Sequence, residues 1–175
     1  MSAKTTLSAD QRRALLATPA GWLACGFGSG LAPVAQGTCG SLAALLPWLL
    51  LRQLTLPVYL FVLLFGFGVG VWACGVAGRA LRVADHRSIV WDEFIGQWLA
   101  LLPLLIPGLL PAGNLALGLS VLAGFALFRL FDVWKPWPIS WLDRYVKGGL
   151  GVMIDDVLAG VFAAIALLAV LWLLR

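Results

Sequence analysis

The chain has 175 residues, 62% of them hydrophobic and only 11% charged, with a formal net charge of +4. Soluble domains carry about 25% charged residues, and no soluble fold of this size has enough interior to hide so much apolar surface. The composition therefore excludes an ordinary soluble domain and points to an integral membrane protein.

Residues 1–21 read as a polar, basic cytoplasmic tail. No apolar core follows their charges closely enough for a cleavable signal peptide. Residues 22–175 read as a single membrane-embedded domain, since no polar linker or repeat breaks them. Residues 31–51 form the first candidate span, glycine-rich at its start, and residues 53–78 form a long second one. The uncharged stretch 94–128 is too long for one crossing. The turn formers of "PGLLPAGN" (107–114) divide it into spans at about 94–106 and 113–128. Residues 157–174 form the last span. The expected fold is all-α, a polytopic membrane bundle of four to five spans or re-entrant helices.

With the N-terminus in the cytoplasm, ten of the twelve basic residues fall on the cytoplasmic side, leaving only Arg52 and Arg175 opposite. Seven of the eight acids occupy two segments at that same face: Asp85, Asp92 and Glu93 in 79–93, and Asp132, Asp143, Asp155 and Asp156 in 129–156. Carboxylates beside apolar helix ends are costly unless balanced, and a divalent metal is a natural partner for such a group. Each adjacent pair also has a plainer reading. Asp92–Glu93 precede the apolar run from Phe94, and Asp155–Asp156 the run from Val157, where acids favour a helix start. That reading does not cover Arg129, Asp132 and Lys135, spaced along one helix side. They form either an ion-pair ladder or a metal-binding acid between two phosphate-binding cations. Pro136 disfavours helix at Lys135.

Two glycine-rich stretches, 26–42 and 148–156, sit at the same face. In the first, Thr38 and Ser41 add hydroxyls near a helix start, a favourable place for phosphate, although glycine runs in membranes also serve close helix packing. Ser88 is placed to cap the following helix. His86, the single histidine, is a poor basis for a metal site. The cysteines Cys25, Cys39 and Cys74 are odd in number and lack CxxC spacing, which argues against a disulfide framework or zinc. Trp134, Trp137 and Trp141 suit the membrane interface and fix the depth of the charged segment. Asp143 and Arg144 are expected to pair locally.

The segments "IVWDEFIGQW" (89–98), "FRLFDVWKPWPISWLDR" (128–144) and "GGLGVMIDDVLAG" (148–160), with "GFGSGLAP…GTCGSLAA" (26–44), resemble the signature segments of the phosphatidylglycerophosphatase A family. Gln36 stands where that family usually has proline. The resemblance implies an all-helical, Mg²⁺-dependent enzyme of the bacterial inner membrane that converts phosphatidylglycerophosphate to phosphatidylglycerol. By position, it implies acidic site residues at Asp92, Glu93, Asp132, Asp155 and Asp156, with Arg129 and Lys135 beside them. One or two Mg²⁺ are expected among these acids, with Asp92, Glu93, Asp132 and Asp156 catalytic. Arg129, Lys135, Thr38 and Ser41 are expected on the substrate phosphate. The expected partners are the membrane and its anionic lipid, not nucleic acid. CDP-alcohol phosphotransferases lack their spaced acidic pattern here, a histidine-based lipid phosphatase needs more histidines, and a transporter predicts charges at span centres.

Overall fold

The computed structural model describes residues 7–83, 85–109 and 113–174. Lys4, Arg175 and the middle of the 107–114 turn lie outside them. The described residues form eight α-helices and two short 3-10 turns, with no strand among them. Two short helices, α1 (Ala9–Leu16) and α2 (Pro19–Ala24), lead into a 3-10 turn over Gly26–Leu31. The bundle proper comprises α3 (Gln36–Leu51), α4 (Leu56–Leu81), α5 (Trp91–Ala100), α6 (Asn114–Trp134) and α8 (Gly148–Leu173). A short α7 (Ile139–Tyr145) precedes α8.

Three of these, α4, α6 and α8, are long and apolar enough to cross a membrane. The other two expected spans are shorter than the sequence suggested. Helix α3 has 16 residues, a rise of about 24 Å, and α5 has ten, about 15 Å, against a hydrocarbon core of about 30 Å. The missing length is accounted for locally. Residues 31–35 are spent at the end of the 3-10 turn and in the bend after it, and Pro103 sits in a second 3-10 turn, Leu102–Leu105, that ends α5. Helix α8 begins earlier than expected, so Asp155 and Asp156 lie two turns inside it rather than at its start. A helix-start role is thereby removed for that pair. Asp92 and Glu93 do occupy the first turn of α5. Ser88 does not cap that helix, whose N-cap position is Val90 and which has no side-chain cap; the Ser88 amide donates to His86 Nδ1 instead (3.2 Å).

Helix α5 is the hub. Nine of its ten residues are buried, and it packs on α3, α4, α6 and α8. Its tryptophans are fixed by their indole N–H groups. Trp91 donates to Gly66 O (3.0 Å) and Trp98 to Ala44 O (2.8 Å), while Tyr59 donates to Trp98 O (2.7 Å). A buried polar edge without a partner costs a few kcal/mol in lipid, so these bonds lock the depth of α5 against α3 and α4. Glycine allows the close crossing of α5 and α8: a Cβ at Gly160 would stand 2.5 Å from Gly96 O. Large side chains such as Phe61, Leu64, Leu115 and Ile165 point outward and are exposed, as lipid contact requires. Trp134, Trp137 and Trp141 are also exposed, in keeping with an interfacial belt.

Candidate active site

The five bundle helices alternate in direction. The starts of α3, α5 and α8 and the ends of α4 and α6 therefore meet at one end of the molecule. A cavity of about 540 Å³ opens there, and its walls carry six carboxylates and three cations. Every expected acid lines it: Asp92, Glu93, Asp132, Asp155 and Asp156. Arg129, Lys135 and Thr38 line it as well.

Three of the acids converge. Asp92, Glu93 and Asp156 each offer an oxygen within 4.8 Å of the other two. Asp92 Oδ1, Glu93 Oε2, Asp155 Oδ1 and Asp156 Oδ2 are buried with no hydrogen-bond partner among the described residues. Burial first, and then the Glu93 carboxylate, pushes Asp92 well above the usual carboxylate range. Burial and the Asp156 carboxylate push Glu93 up to about 8. Packed acids with orphaned oxygens are the donor set of a hard divalent cation, which takes oxygen ligands and cancels their repulsion. The residues thus fit the metal that the resemblance implies.

The basic groups are held in a fixed order around this cluster. Arg129 Nη1 pairs with Asp132 Oδ2 at 2.7 Å, one turn apart on α6. The end of α6 then breaks at Lys135, whose φ of 46° is left-handed ahead of Pro136, as the sequence suggested. That bend swings the ammonium onto Asp155 Oδ2 (2.5 Å) and Asp143 Oδ1 (3.0 Å). Burial works against its charge, but the Asp155 and Asp143 carboxylates hold Lys135 above its ordinary value. Asp143 thus pairs with Lys135 and not with Arg144, which corrects the expected local pair.

Helix α3 enters with Ala35 left-handed (φ 48°) and no side-chain cap, so its first N–H groups are unclaimed by a cap where Gln36, Gly37 and Thr38 line the cavity. Ser41 is not on the cavity wall. It is buried, donates to Gly37 O (3.0 Å) and accepts from Arg129 Nη1 (3.4 Å), so it reaches the site only through Arg129.

Two charged lining residues were placed at this face by the sequence but not assigned to the site. Asp85 stands exposed on the loop after α4, and Arg87 has a buried Nε without a partner. Arg87 makes no ion pair among the described residues, unlike Arg129 and Lys135. The available signal was their position in the charged 79–93 segment, at the same face as the other acids.

An all-helical membrane protein with a carboxylate-lined, cation-flanked cavity at one end of its bundle is the class that fold and site define. The sequence profile described as phosphatidylglycerophosphatase A matches residues 22–171. Phosphatidylglycerophosphatase A of Escherichia coli (strain K12) is 47% identical over 152 residues, covering 87% of this chain and 83% of that protein. Phosphatidylglycerophosphatase A of Haemophilus influenzae is 42% identical over 161 residues, covering 91% and 93%. A putative phosphatidylinositol-3-phosphatase of Bacteroides thetaiotaomicron is 37% identical over 155 residues, covering 85% and 91%. No solved structure matches the chain. The chain belongs to the phosphatidylglycerophosphatase A family.

Proposed function

We propose that the protein is a Mg²⁺-dependent lipid phosphatase that hydrolyses the terminal phosphomonoester of phosphatidylglycerophosphate, giving phosphatidylglycerol and phosphate. It works in the bacterial inner membrane with the cavity facing the cytoplasm. The observation that carries this reading is the convergence of Asp92, Glu93 and Asp156 with unpaired oxygens beside Arg129 and Lys135. The names of the two relatives from Escherichia coli and Haemophilus influenzae supply the substrate.

The charge balance supports the metal. Six lining carboxylates against three cations leave an excess of three negative charges if all are ionised, and a phosphomonoester dianion does not enter such a field unaided. A divalent cation held by Asp92, Glu93 and Asp156, when bound, supplies a Lewis acid for the phosphoryl oxygens and makes water a better nucleophile. The chain's own groups do the rest. Arg129 and Lys135 neutralise phosphate oxygens, exchanging part of their ion pairs for the substrate. The first N–H groups of α3 and the Thr38 hydroxyl receive a further oxygen. Asp132 stands outside the converging trio and is oriented by Arg129; it takes the proton of the attacking water as the phosphorus–oxygen ester bond breaks. The departing glycerol oxygen gains a proton from solvent or from a protonated site acid.

The test is phosphate release in proteoliposomes with and without Mg²⁺, across phosphatidylglycerophosphate, phosphatidic acid and phosphatidylinositol 3-phosphate. The proposal expects Mg²⁺-dependent release with phosphatidylglycerophosphate fastest. Equal release in chelator refutes the metal. Preference for phosphatidylinositol 3-phosphate, the reading favoured by the Bacteroides relative's name, refutes the headgroup assignment alone.

A further inference from the structure

A second, smaller cavity of about 70 Å³ lies beside the main one, between the loop after α4 and the start of α8. Four carboxylates line it, from Asp85, Asp92, Asp143 and Asp155, together with Lys147. Asp85, Asp92 and Asp155 line both cavities. We propose that this side cavity holds a second divalent cation, ligated by Asp85, Asp92 and Asp155, with Asp92 shared between it and the cation at Asp92, Glu93 and Asp156.

Two observations beyond the clustering of acids carry the inference. Asp92 Oδ1 and Asp155 Oδ1 belong to side chains more than nine-tenths buried, and neither oxygen has a partner among the described residues. A buried carboxylate oxygen left unpaired costs a kcal/mol or more, so the fold retains two such costs on the wall that the two cavities share. The cations already present do not remove them. Lys135 sits on Asp155 Oδ2 and leaves Oδ1 free, and Lys147 donates its ammonium to Asp143 O (2.8 Å). Second, with all six wall carboxylates ionised, a single divalent ion does not cancel their excess of three negative charges, whereas two leave the wall slightly positive, the sign an anionic substrate needs. The volume suits an ion with one or two retained waters, at about 30 Å³ each. A carboxylate common to both sites would bring two cations to one substrate phosphate, where together they would supply charge stabilisation to its reacting oxygens.

This inference rests on the metal-dependent reading above but is read out without turnover. The full chain in detergent micelles is stripped with chelator and titrated with Mn²⁺, and bound ions are counted by electron paramagnetic resonance. Two ions per chain with a spin-coupled signal are expected. Asp85→Asn and Asp155→Asn are each expected to bind one ion with no coupled signal, with elution on size exclusion unchanged. Asp85 is exposed, so its variant does not disturb packing. One ion in the parent chain overturns the second site and leaves the phosphatase reading standing. No ion overturns both. Two coupled ions in Asp85→Asn overturn Asp85 as a ligand. Two bound ions without phosphate release refute the substrate assignment only.

Discussion

A Cβ at Gly37 would stand 2.4 Å from Glu93 Oε1 and 3.2 Å from Arg129 Nη1. The lack of a side chain there lets the start of α3 touch an acid and a cation of the site at once. Gly37→Ala is expected to lower kcat at least tenfold without loss of helical signal, whereas Gly75→Ala, whose Cβ meets nothing closer than 3.6 Å, leaves it unchanged. Steady-state kinetics with circular dichroism checks both. Asp132→Asn retains shape but not basicity, and turnover should fall by roughly 10²–10⁴, the usual worth of a positioned base. Retained turnover removes Asp132 from the chemistry. Glu93 gives a pH signature in chelated protein. Its value in the fold, about 8, lies above its ordinary 4.5, so the folded state holds the proton more tightly. The stability it lends is therefore full below pH 4.5 and lost as pH rises to about 8. Thermal melts in chelator should fall across that window. Saturating Mg²⁺ should stabilise the fold by about 2.7 kcal/mol at a hundred times Kd, and the melting temperature should rise most at the alkaline end.

At the scale of elements, the short helices are the informative ones. Helix α5 is too short to cross and too buried to face lipid, and its first turn carries two of the three converging acids. Its depth is set by close backbone contacts with α8, which is in turn pressed against α4. A Cβ at Gly149 would lie 2.0 Å from Val71 O, and no flexible side chain can yield there. Gly149→Ala should therefore destabilise by about 1–3 kcal/mol, the common cost of overpacking, and shift α8 enough to weaken metal binding. Gly118 on α6 has nothing within 4 Å of a Cβ, so Gly118→Ala should melt no lower than the parent. Differential scanning of the two variants in the same detergent makes the comparison.

For the whole molecule, the alternation of α3, α4, α5, α6 and α8 gathers the charges at one end and leaves Arg52 at the other. The positive-inside bias is what supports the proposed cytoplasmic orientation of the site end. In a background with Cys25, Cys39 and Cys74 replaced by alanine, a cysteine at Arg144 should react with an impermeant thiol reagent only in inside-out vesicles. One at Gln53 should react only in right-side-out cells. The opposite pattern overturns the orientation.

Composition, charge placement and motif length were enough to read the class, the common end of the bundle and nearly all the acids. Composition forces a membrane protein, charges are so scarce that their positions stand out, and the motifs around Asp92, Asp132 and Asp155 are long enough to carry a family. Helix lengths were legible for the long apolar runs of α4 and α6, glycines included, but not where the backbone makes a local turn. At residues 31–35 and 101–106 local backbone turns consume what hydropathy alone reads as span. The tertiary structure alone decided which acids converge and which pair with cations. It separated Asp92, Glu93 and Asp156 from the Arg129–Asp132 and Lys135–Asp155 pairs, moved Asp143 away from Arg144, and brought in Asp85 and Arg87. Hydropathy and spacing fix the depth and face of a residue along its own helix. The azimuth of one helix against the next is set by interhelical contacts, such as the indole bonds of α5 and the glycine crossings of α8, which no local pattern encodes.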